Sequence, residues 1–228
     1  MCGLLLRGAY GGCGGACQPR DASALHHQYT AYIRRVARFY IIVVGFMWLA
    51  WFVSWHVAML WRDKPTVQAP RKQYRLYFFV IAVGLVLMYC VVPRNQPVLW
   101  QVTPALGWSM VALTGAGIAF AWWARIALGR LWSGGIERMA SHRVVDTGPY
   151  AIVRHPIYTG LIAGAVAMAA LQAKPWAIAG AALFSLGFAL KARVEERFLE
   201  KEIGGYDAYR RRVSMIVPLP KIPLRPLL

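Results

Sequence analysis

Two short stretches in the second half of the chain carry the residues that could do chemistry, and the first covers residues 143–160. Gly148-Pro149 is a turn signal, and Arg154, His155 and Pro156 follow it. Pro156 disfavours helical backbone at the residue before it and suits the first turn of a helix. Arg154 and His155 are therefore predicted at a helix N-terminus, where cationic side chains and free backbone N–H groups form an anion site.

The second stretch is Glu195-Glu196, which comes after an uncharged apolar block. Arg193 and Glu196 are three residues apart, so a helix places them on the same face. An anion site and a carboxylate site at one surface together suit a zwitterionic amino-acid group, such as that of S-adenosylmethionine. Its carboxylate suits Arg154, His155 or the helix N–H groups, and its ammonium or ribose hydroxyls suit a glutamate.

Aromatic side chains accompany these charges, and Tyr150 and Tyr158 are predicted to face an adenine ring or a sulfonium. An anionic lipid headgroup fits the basic half of the pattern equally well, so the residues alone leave both ligands open.

If the ligand is S-adenosylmethionine, the reaction is methyl transfer from its sulfonium, an in-line displacement that needs little beyond alignment of the nucleophile. We therefore expect neither a catalytic triad nor a metal ion.

The elements that must position these residues are apolar. The chain is 58% hydrophobic and 15% charged, whereas soluble domains are roughly a quarter charged. A bilayer core takes roughly 20 helical residues, and backbone groups inside lipid must be satisfied within their own segment. Five apolar blocks approach this length, the fourth being short: residues 39–61, 76–92, 105–128, 157–171 and 176–190. The sequence predicts an all-α, polytopic membrane helix bundle of about five transmembrane helices with a C-terminal amphipathic helix.

The net charge of +17 is unevenly distributed among the linkers. Basic residues are dense after the first block, between residues 125 and 154, and from residue 191 onward, and they are sparse in the other two linkers. This alternation fits the positive-inside rule with the three dense regions in the cytoplasm. It predicts a cytoplasmic C-terminus and active site, and an external N-terminus despite Arg34, Arg35 and Arg38.

The domain organisation is simple. Residues 1–30 are predicted to be a mobile leader, and their short apolar run does not read as a signal peptide. Residues 31–228 are predicted to form one membrane domain, with the chemistry concentrated at residues 124–213. Cys13 and Cys17 lack two further ligands at a recognisable metal-site spacing, so no metal site is predicted.

Several fragments, in this order along the chain, resemble the isoprenylcysteine carboxyl methyltransferase family, whose relatives include membrane phospholipid N-methyltransferases. The fragments are Ala124-Arg125, Leu128-Gly129, Trp132-Ser133, His142, Gly148-Pro149-Tyr150, the run from Arg154 to Gly160, Glu195-Glu196, Tyr206 and Tyr209. One mild departure is Val144-Val145, where the family often has Leu-Val.

This resemblance implies a pocket for S-adenosylmethionine that is closed by the last two spans and the C-terminal helix. The pocket would open to the cytosol for the cofactor and to lipid for an apolar acceptor. By position, Arg154, Arg193 and Glu196 would lie beside the transferring methyl group, and Glu195 and Glu196 would close the cofactor site. The other implied cofactor-binding residues are His142, Val145, Gly148, Tyr150, His155, Pro156 and Tyr158.

Three functions remain compatible with these patterns. The first is methyl transfer to a carboxylate or thiol of a small or lipidic acceptor, and the second is methylation of a lipid amine headgroup by the same fold. The third is a non-catalytic membrane protein that binds lipid. In each case membrane lipids are the expected partners, and nucleic acid is not expected despite the basic charge.

Overall fold

The computed structural model describes residues 19–60, 67–68, 75–90, 97–132, 137–138 and 144–219. The helices in these ranges are α1 (Pro19–Ala58), α2 (Arg75–Tyr89), α3 (Pro104–Leu128), α4 (Pro149–Ile152), α5 (Pro156–Gln172), α6 (Pro175–Glu202) and α7 (Tyr206–Arg212), and a 3-10 turn, Gly129–Leu131, follows α3. Two short strands, β1 (Val67–Gln68) and β2 (Glu137–Arg138), pair antiparallel and join the linker after α1 to the linker after α3.

Each of the five predicted apolar blocks corresponds to a helix over most of its length, and the prediction of an all-α membrane bundle is confirmed. Three helical stretches are long and apolar enough to cross a membrane: Ala31–Ala58, Pro104–Leu131 and Pro175–Glu202. α2 and α5 are also apolar, but their 15 and 17 residues fall short of the roughly 20 that span a bilayer core. Proline at the first helical positions fixes where α3, α5 and α6 begin.

Helix α1 starts earlier than the first apolar block. It begins at Pro19, so residues 19–30 of the predicted leader are helical and continue directly into the first span. Residues 1–18, with Cys13 and Cys17, lie outside the described residues, and the mobility of the leader stays a prediction.

Small residues let the helices approach in pairs, α2 along α6 and α3 along α5. A Cβ atom on Gly84 would lie 2.6 Å from the backbone nitrogen of Phe184, and one on Gly180 would lie 2.7 Å from the carbonyl oxygen of Gly84. The α3–α5 contact is equally close, because a Cβ atom on Gly117 would lie 2.6 Å from the carbonyl oxygen of Gly160. Small residues in α5 and α6 therefore allow close helix–helix contact, as in other membrane proteins.

The predicted C-terminal amphipathic helix is divided into two parts. α6 runs without a break from the membrane-spanning segment to Glu202, and Gly205, with φ +82°, reverses the chain before α7. Positive φ strains residues that have a Cβ atom, so glycine explains why the helix stops here. After α7 the chain runs beside the start of α5, where Arg154 N–H donates to Ser214 O at 2.8 Å and His155 N–H donates to Met215 O at 3.0 Å.

The bundle has two ends that differ in their helix termini. One end contains the C-terminal ends of α1, α3 and α6, the N-terminal end of α5, and α7, and we call it the cavity end because a cavity opens there. The opposite end contains the C-terminal ends of α2 and α5 and the loop at residues 97–103. At the opposite end Leu99 N–H donates to Ala173 O at 2.8 Å, and Trp100 Nε1 donates to Ala170 O at 2.9 Å.

Candidate active site

A cavity of about 340 Å³ lies at the cavity end, between α1 and the end of α3 on one side and α4 to α7 on the other. Most of its wall is aromatic or aliphatic, and Arg154, His155, Lys191 and Glu195 supply charge or charge capacity. Its aromatic residues are Trp51, Trp55, Trp132, Tyr150, Tyr158, Phe188, Tyr206 and Tyr209. A largely apolar wall with a few convergent polar groups is typical of small-molecule sites.

Most of the predicted site residues come together in this wall. The lining includes Val145, Tyr150, Arg154, His155, Pro156, Tyr158 and Glu195. Glu196 lies directly behind it, buried and bonded to Arg154 and His155. His142 lies outside the described residues, so its predicted role stays a prediction.

Gly148 is absent from the cavity wall, and it acts through the backbone. Its φ of +59° turns the chain into α4, which places Tyr150 in the cavity. Tyr209 Oη donates to the carbonyl oxygen of Tyr150 at 2.7 Å and so fastens α7 to this turn. A residue with a Cβ atom would be strained at this φ, so the structure gives Gly148 a conformational role, and its contact with cofactor stays a prediction.

Glu196 is the centre of a buried ionic network. Its Oε1 atom accepts from Arg154 Nε at 2.7 Å and lies 3.1 Å from His155 Nε2, and its Oε2 atom lies 3.5 Å from Arg210 Nε. Arg154 and Glu196 are only 7% and 3% exposed. Arg154 also donates from Nη1 to the carbonyl oxygens of Arg210, at 3.0 Å, and Val213. The anion site predicted at the start of α5 thus has an internal occupant, the carboxylate of Glu196.

Tyr158 is the centre of a second group, on the cavity side of that network. Its hydroxyl donates to Glu195 Oε2 at 2.6 Å, and its ring stacks on His155 with centroids 5.1 Å apart and planes within 5°. Phe188 lies 5.0 Å from the same ring, and Lys191 Nζ lies 5.1 Å from its centroid. The two adjacent glutamates therefore differ, because Glu196 holds the scaffold together and Glu195 faces the cavity.

Arg193 lies apart from the other predicted site residues, and its role at the methyl group stays a prediction. It is exposed and does not line the cavity, whereas Lys191 and Glu195 on the same helix do. Each α-helical residue turns by about 100°, so Arg193 points about 200° away from both of them. Sharing a face with Glu196 does not bring Arg193 to the methyl-transfer site, because Glu196 itself points behind the cavity wall.

Three tryptophans line the cavity, and the sequence patterns singled out only Trp132 of them. Trp51 and Trp55 are four residues apart on α1, and Trp55 contacts Trp132 with ring centroids 5.4 Å apart. Arg125, 1% exposed, lies 4.7 Å over the Trp132 ring and donates from Nη2 to Ala58 O at 2.8 Å. The i, i+4 spacing of the two α1 tryptophans was the available signal.

Three tyrosines outside the membrane-spanning helices have raised pKa values. Burial is the main cause for Tyr150, Tyr206 and Tyr209, and nearby glutamate or aspartate charges raise each pKa further. Their phenols therefore stay protonated and neutral through the physiological range and act as hydrogen-bond donors.

Comparison with known proteins finds a family with a similar sequence. Residues 110–201 match the model of the isoprenylcysteine carboxyl methyltransferase (ICMT) family. In that region the chain is similar to this family. The matched segment contains most of α3, all of α4 and α5, and nearly all of α6. Arg154, His155, Glu195 and Glu196 lie inside it, whereas Arg210 lies beyond it. Trp51, Trp55, Tyr206 and Tyr209 lie outside the ICMT match and complete the cavity from α1 and α7.

Two curated proteins are similar to the chain. The nickel-cobalt-cadmium resistance protein NccN of Alcaligenes xylosoxydans xylosoxydans is 29% identical over 166 residues, which cover 68% of this chain and 72% of that protein. The cobalt-zinc-cadmium resistance protein CzcN of Cupriavidus metallidurans is 31% identical over 96 residues, 40% of this chain and 43% of that protein. The ICMT match and the long apolar helices together support an integral membrane protein that is similar to a family of methyltransferases.

Proposed function

We propose that the chain is an S-adenosylmethionine-dependent methyltransferase of the membrane, acting on a carboxylate or thiol of a small or lipidic, isoprenylcysteine-like acceptor. The observation that carries this proposal is the cavity, which combines an apolar aromatic wall with Lys191 and Glu195 inside or beside the ICMT region. An apolar acceptor needs the apolar part of this wall, and a polar, zwitterionic cofactor needs its charged part. A uniformly apolar groove for lipid tails would have no use for buried charge.

The residues present fit the cofactor. A cavity of about 340 Å³ lies within the range of small-molecule sites, roughly 300–1,000 Å³. Tyr150, Tyr158 and Pro156 offer flat surfaces to an adenine ring or a sulfonium, and Glu195 offers a carboxylate to an ammonium or ribose hydroxyl. When bound, S-adenosylmethionine supplies a methyl group on an activated sulfonium. Val145, Tyr150, Pro156, Tyr158 and Glu195 would hold it, with His142 added by family resemblance.

The protein's own contribution is alignment and exclusion of water. The Glu196 network fixes Arg154 and His155, and the stacked His155–Tyr158 pair then fixes the wall against which the donor rests. A rigid wall of this kind lowers the entropic part of the barrier, which for well-aligned groups amounts to several kcal/mol. An acceptor that arrives as a carboxylate or thiolate needs no general base.

The acceptor side and the membrane topology are parts of the same proposal. Trp51, Trp55, Met59, Leu128 and Leu131 form the apolar wall that would receive a lipidic group. The ends of α1, α3 and α6, which lead into the basic regions of the sequence, meet at the cavity end. The positive-inside rule then puts the cavity and the C-terminus on the cytoplasmic side.

The first test is calorimetric titration of S-adenosylmethionine into the detergent-purified chain and into the chain in lipid nanodiscs. We expect saturable binding by wild type, about tenfold or more weaker for Glu195→Gln because a charged hydrogen-bond partner is lost. Glu200→Gln, on the same helix but outside the cavity wall, is the matched control and should bind like wild type. Absence of binding by the folded wild type in both media would overturn the proposal.

Transfer of a labelled methyl group identifies the acceptor chemistry. The wild type is incubated with labelled S-adenosylmethionine and either an S-farnesylcysteine derivative or an extract of membrane lipids. A base-labile methyl ester or a thioether in the product supports our proposal. Label found only in base-stable methylated amines would favour the headgroup N-methyltransferase instead.

A further inference from the structure

Lys191 occupies a position that no motif in the sequence singles out. It lines the cavity from α6, one helical turn before Glu195, and its Nζ lies 5.1 Å from the centroid of the Tyr158 ring. The Tyr158 hydroxyl is in turn bonded to Glu195 at 2.6 Å. A lysine over the Tyr158 ring and a glutamate at its hydroxyl therefore lie close together inside the proposed cofactor site.

The other cationic groups of the cavity wall are committed elsewhere. Arg154 donates from Nε to Glu196 and from Nη1 to the carbonyl oxygens of Arg210 and Val213. His155 directs Nε2 to the same Glu196 oxygen. The positive charge of Arg154 thus balances a protein carboxylate and the end of a backbone segment. A ligand carboxylate in this cavity would have to displace buried bonds to reach Arg154, and such displacement is costly.

We propose that Lys191 binds the carboxylate of the amino-acid group of S-adenosylmethionine, while Glu195 receives the ammonium of that group. This inference rests on the proposed function, and it states in which direction the amino-acid group of the cofactor lies in the site. Side chains four residues apart on a helix have Cβ atoms roughly 6 Å apart, a separation that suits two opposite charges carried on one ligand carbon. The lysine ammonium has three donors, so it can serve a ligand carboxylate together with a protein partner.

Charge balance favours this assignment. Lys191 and Glu195 are of opposite sign, and the ligand's amino-acid group is also neutral overall. Binding of the amino-acid group therefore adds no net charge to the site, and a net charge would be expensive in a partly desolvated cavity. The sulfonium is left as the one uncompensated ligand charge, and the aromatic wall around Tyr150 and Tyr158 is suited to a cation.

The test compares S-adenosylmethionine with its decarboxylated analogue, which keeps the sulfonium and the ammonium but lacks the carboxylate. Both are titrated by calorimetry into wild type, Lys191→Met and Lys191→Arg. Wild type should prefer S-adenosylmethionine by roughly tenfold to a hundredfold, the range of one charge-assisted hydrogen bond. Lys191→Met should bind the two ligands equally, and Lys191→Arg should retain a preference. Lys201→Met, an exposed lysine on the same helix, is the control and should keep the full preference.

The outcomes separate this inference from the proposed function. If folded wild type binds neither ligand, the proposed function fails and this assignment fails with it. If wild type binds but Lys191→Met still prefers S-adenosylmethionine by the same factor, the assignment alone is overturned. A Lys191→Met variant that keeps its cofactor preference but no longer distinguishes S-farnesylcysteine from its methyl ester in binding would show that Lys191 binds the acceptor carboxylate. The assignment would then equally be overturned.

Discussion

The two ends of the helix bundle are built from different interactions. At the cavity end the described residues include the buried ionisable side chains Arg125, Arg154, His155 and Glu196. At the opposite end, Gln172 Nε2 donates to Met88 O at 3.0 Å, which is a neutral side chain bonded to backbone. Close glycine contacts between α2 and α6 add packing without any charge.

This difference assigns distinct tasks to the two ends. Neutral hydrogen bonds and close packing stabilise a membrane bundle at little desolvation cost. Buried charges are expensive even when paired, and inside membrane proteins they usually mark functional sites. We infer that the opposite end holds the helices together, whereas the cavity end maintains a costly arrangement that the proposed methyl transfer would need.

The largest effect should come from removing the negative charge at the centre of the network. Glu196→Gln leaves Arg154 buried without its carboxylate, and losing one member of a buried pair typically costs about 3–5 kcal/mol of unfolding free energy. We expect that loss in a denaturant titration of the purified protein, together with loss of S-adenosylmethionine binding.

Glu200→Gln is the control for Glu196→Gln, because Glu200 lies one turn later on α6 and also contacts Arg210. Arg210 is half-exposed, so this pair should contribute at most about 1 kcal/mol. Equal loss of unfolding free energy in the two variants would show that the buried network stabilises the protein no more than an exposed ion pair does. That result would contradict the contrast between the two ends.

The next largest effect should come from the packed helix pair. Gly84→Ala places a methyl group 2.6 Å from the backbone nitrogen of Phe184, so α2 and α6 must separate. Overpacking of this kind costs about 1–3 kcal/mol, which a thermal unfolding measurement would detect. Cofactor affinity per folded molecule should change little, because neither Gly84 nor its neighbour Gly180 on α6 lines the cavity.

Gly45→Ala gives the opposite sign and serves as the control for Gly84→Ala. A Cβ atom on Gly45 in α1 meets nothing within 4 Å. The substitution should therefore raise stability by about 0.5–1 kcal/mol through helix propensity alone. A gain at both glycines would mean that the α2–α6 contact is looser than the structure indicates.

Some of this arrangement was predictable from sequence and some was not, for physical reasons. The helices follow from apolar block length, and Pro156 and Gly148 mark their local turns. The Arg154–Glu196 bond joins residues 42 positions apart, and no local pattern encodes that distance. The sequence did not indicate that Arg193 lies on the side of α6 away from the cavity, because an apolar helix has no polar stripe that sets its rotation. The backbone contact of Ser214 and Met215 with the start of α5 left no signal in side-chain type.

A smaller effect should follow from removing a neutral bond at the opposite end. Gln172→Met keeps the length of the side chain but no longer donates to Met88 O. A hydrogen bond between neutral groups contributes about 0.5–1.5 kcal/mol net, so the unfolding free energy should fall by that amount while cofactor binding is retained. A loss as large as that of Glu196→Gln would contradict the division between a neutral end and a charged end.

The smallest effect should come from Arg193, and it sharpens the comparison within the cavity end itself. Arg193→Met changes an exposed residue that points away from the cavity, so stability should stay within about 0.5 kcal/mol of wild type. S-adenosylmethionine affinity and the rate of methyl transfer should also match wild type, in contrast to Lys191→Met two residues earlier. Loss of transfer in Arg193→Met with unchanged cofactor binding would restore Arg193 beside the acceptor. That result would require α6 to rotate, or a second face of the helix to meet substrate, and the cavity of the structure would then be only the cofactor half of the active site.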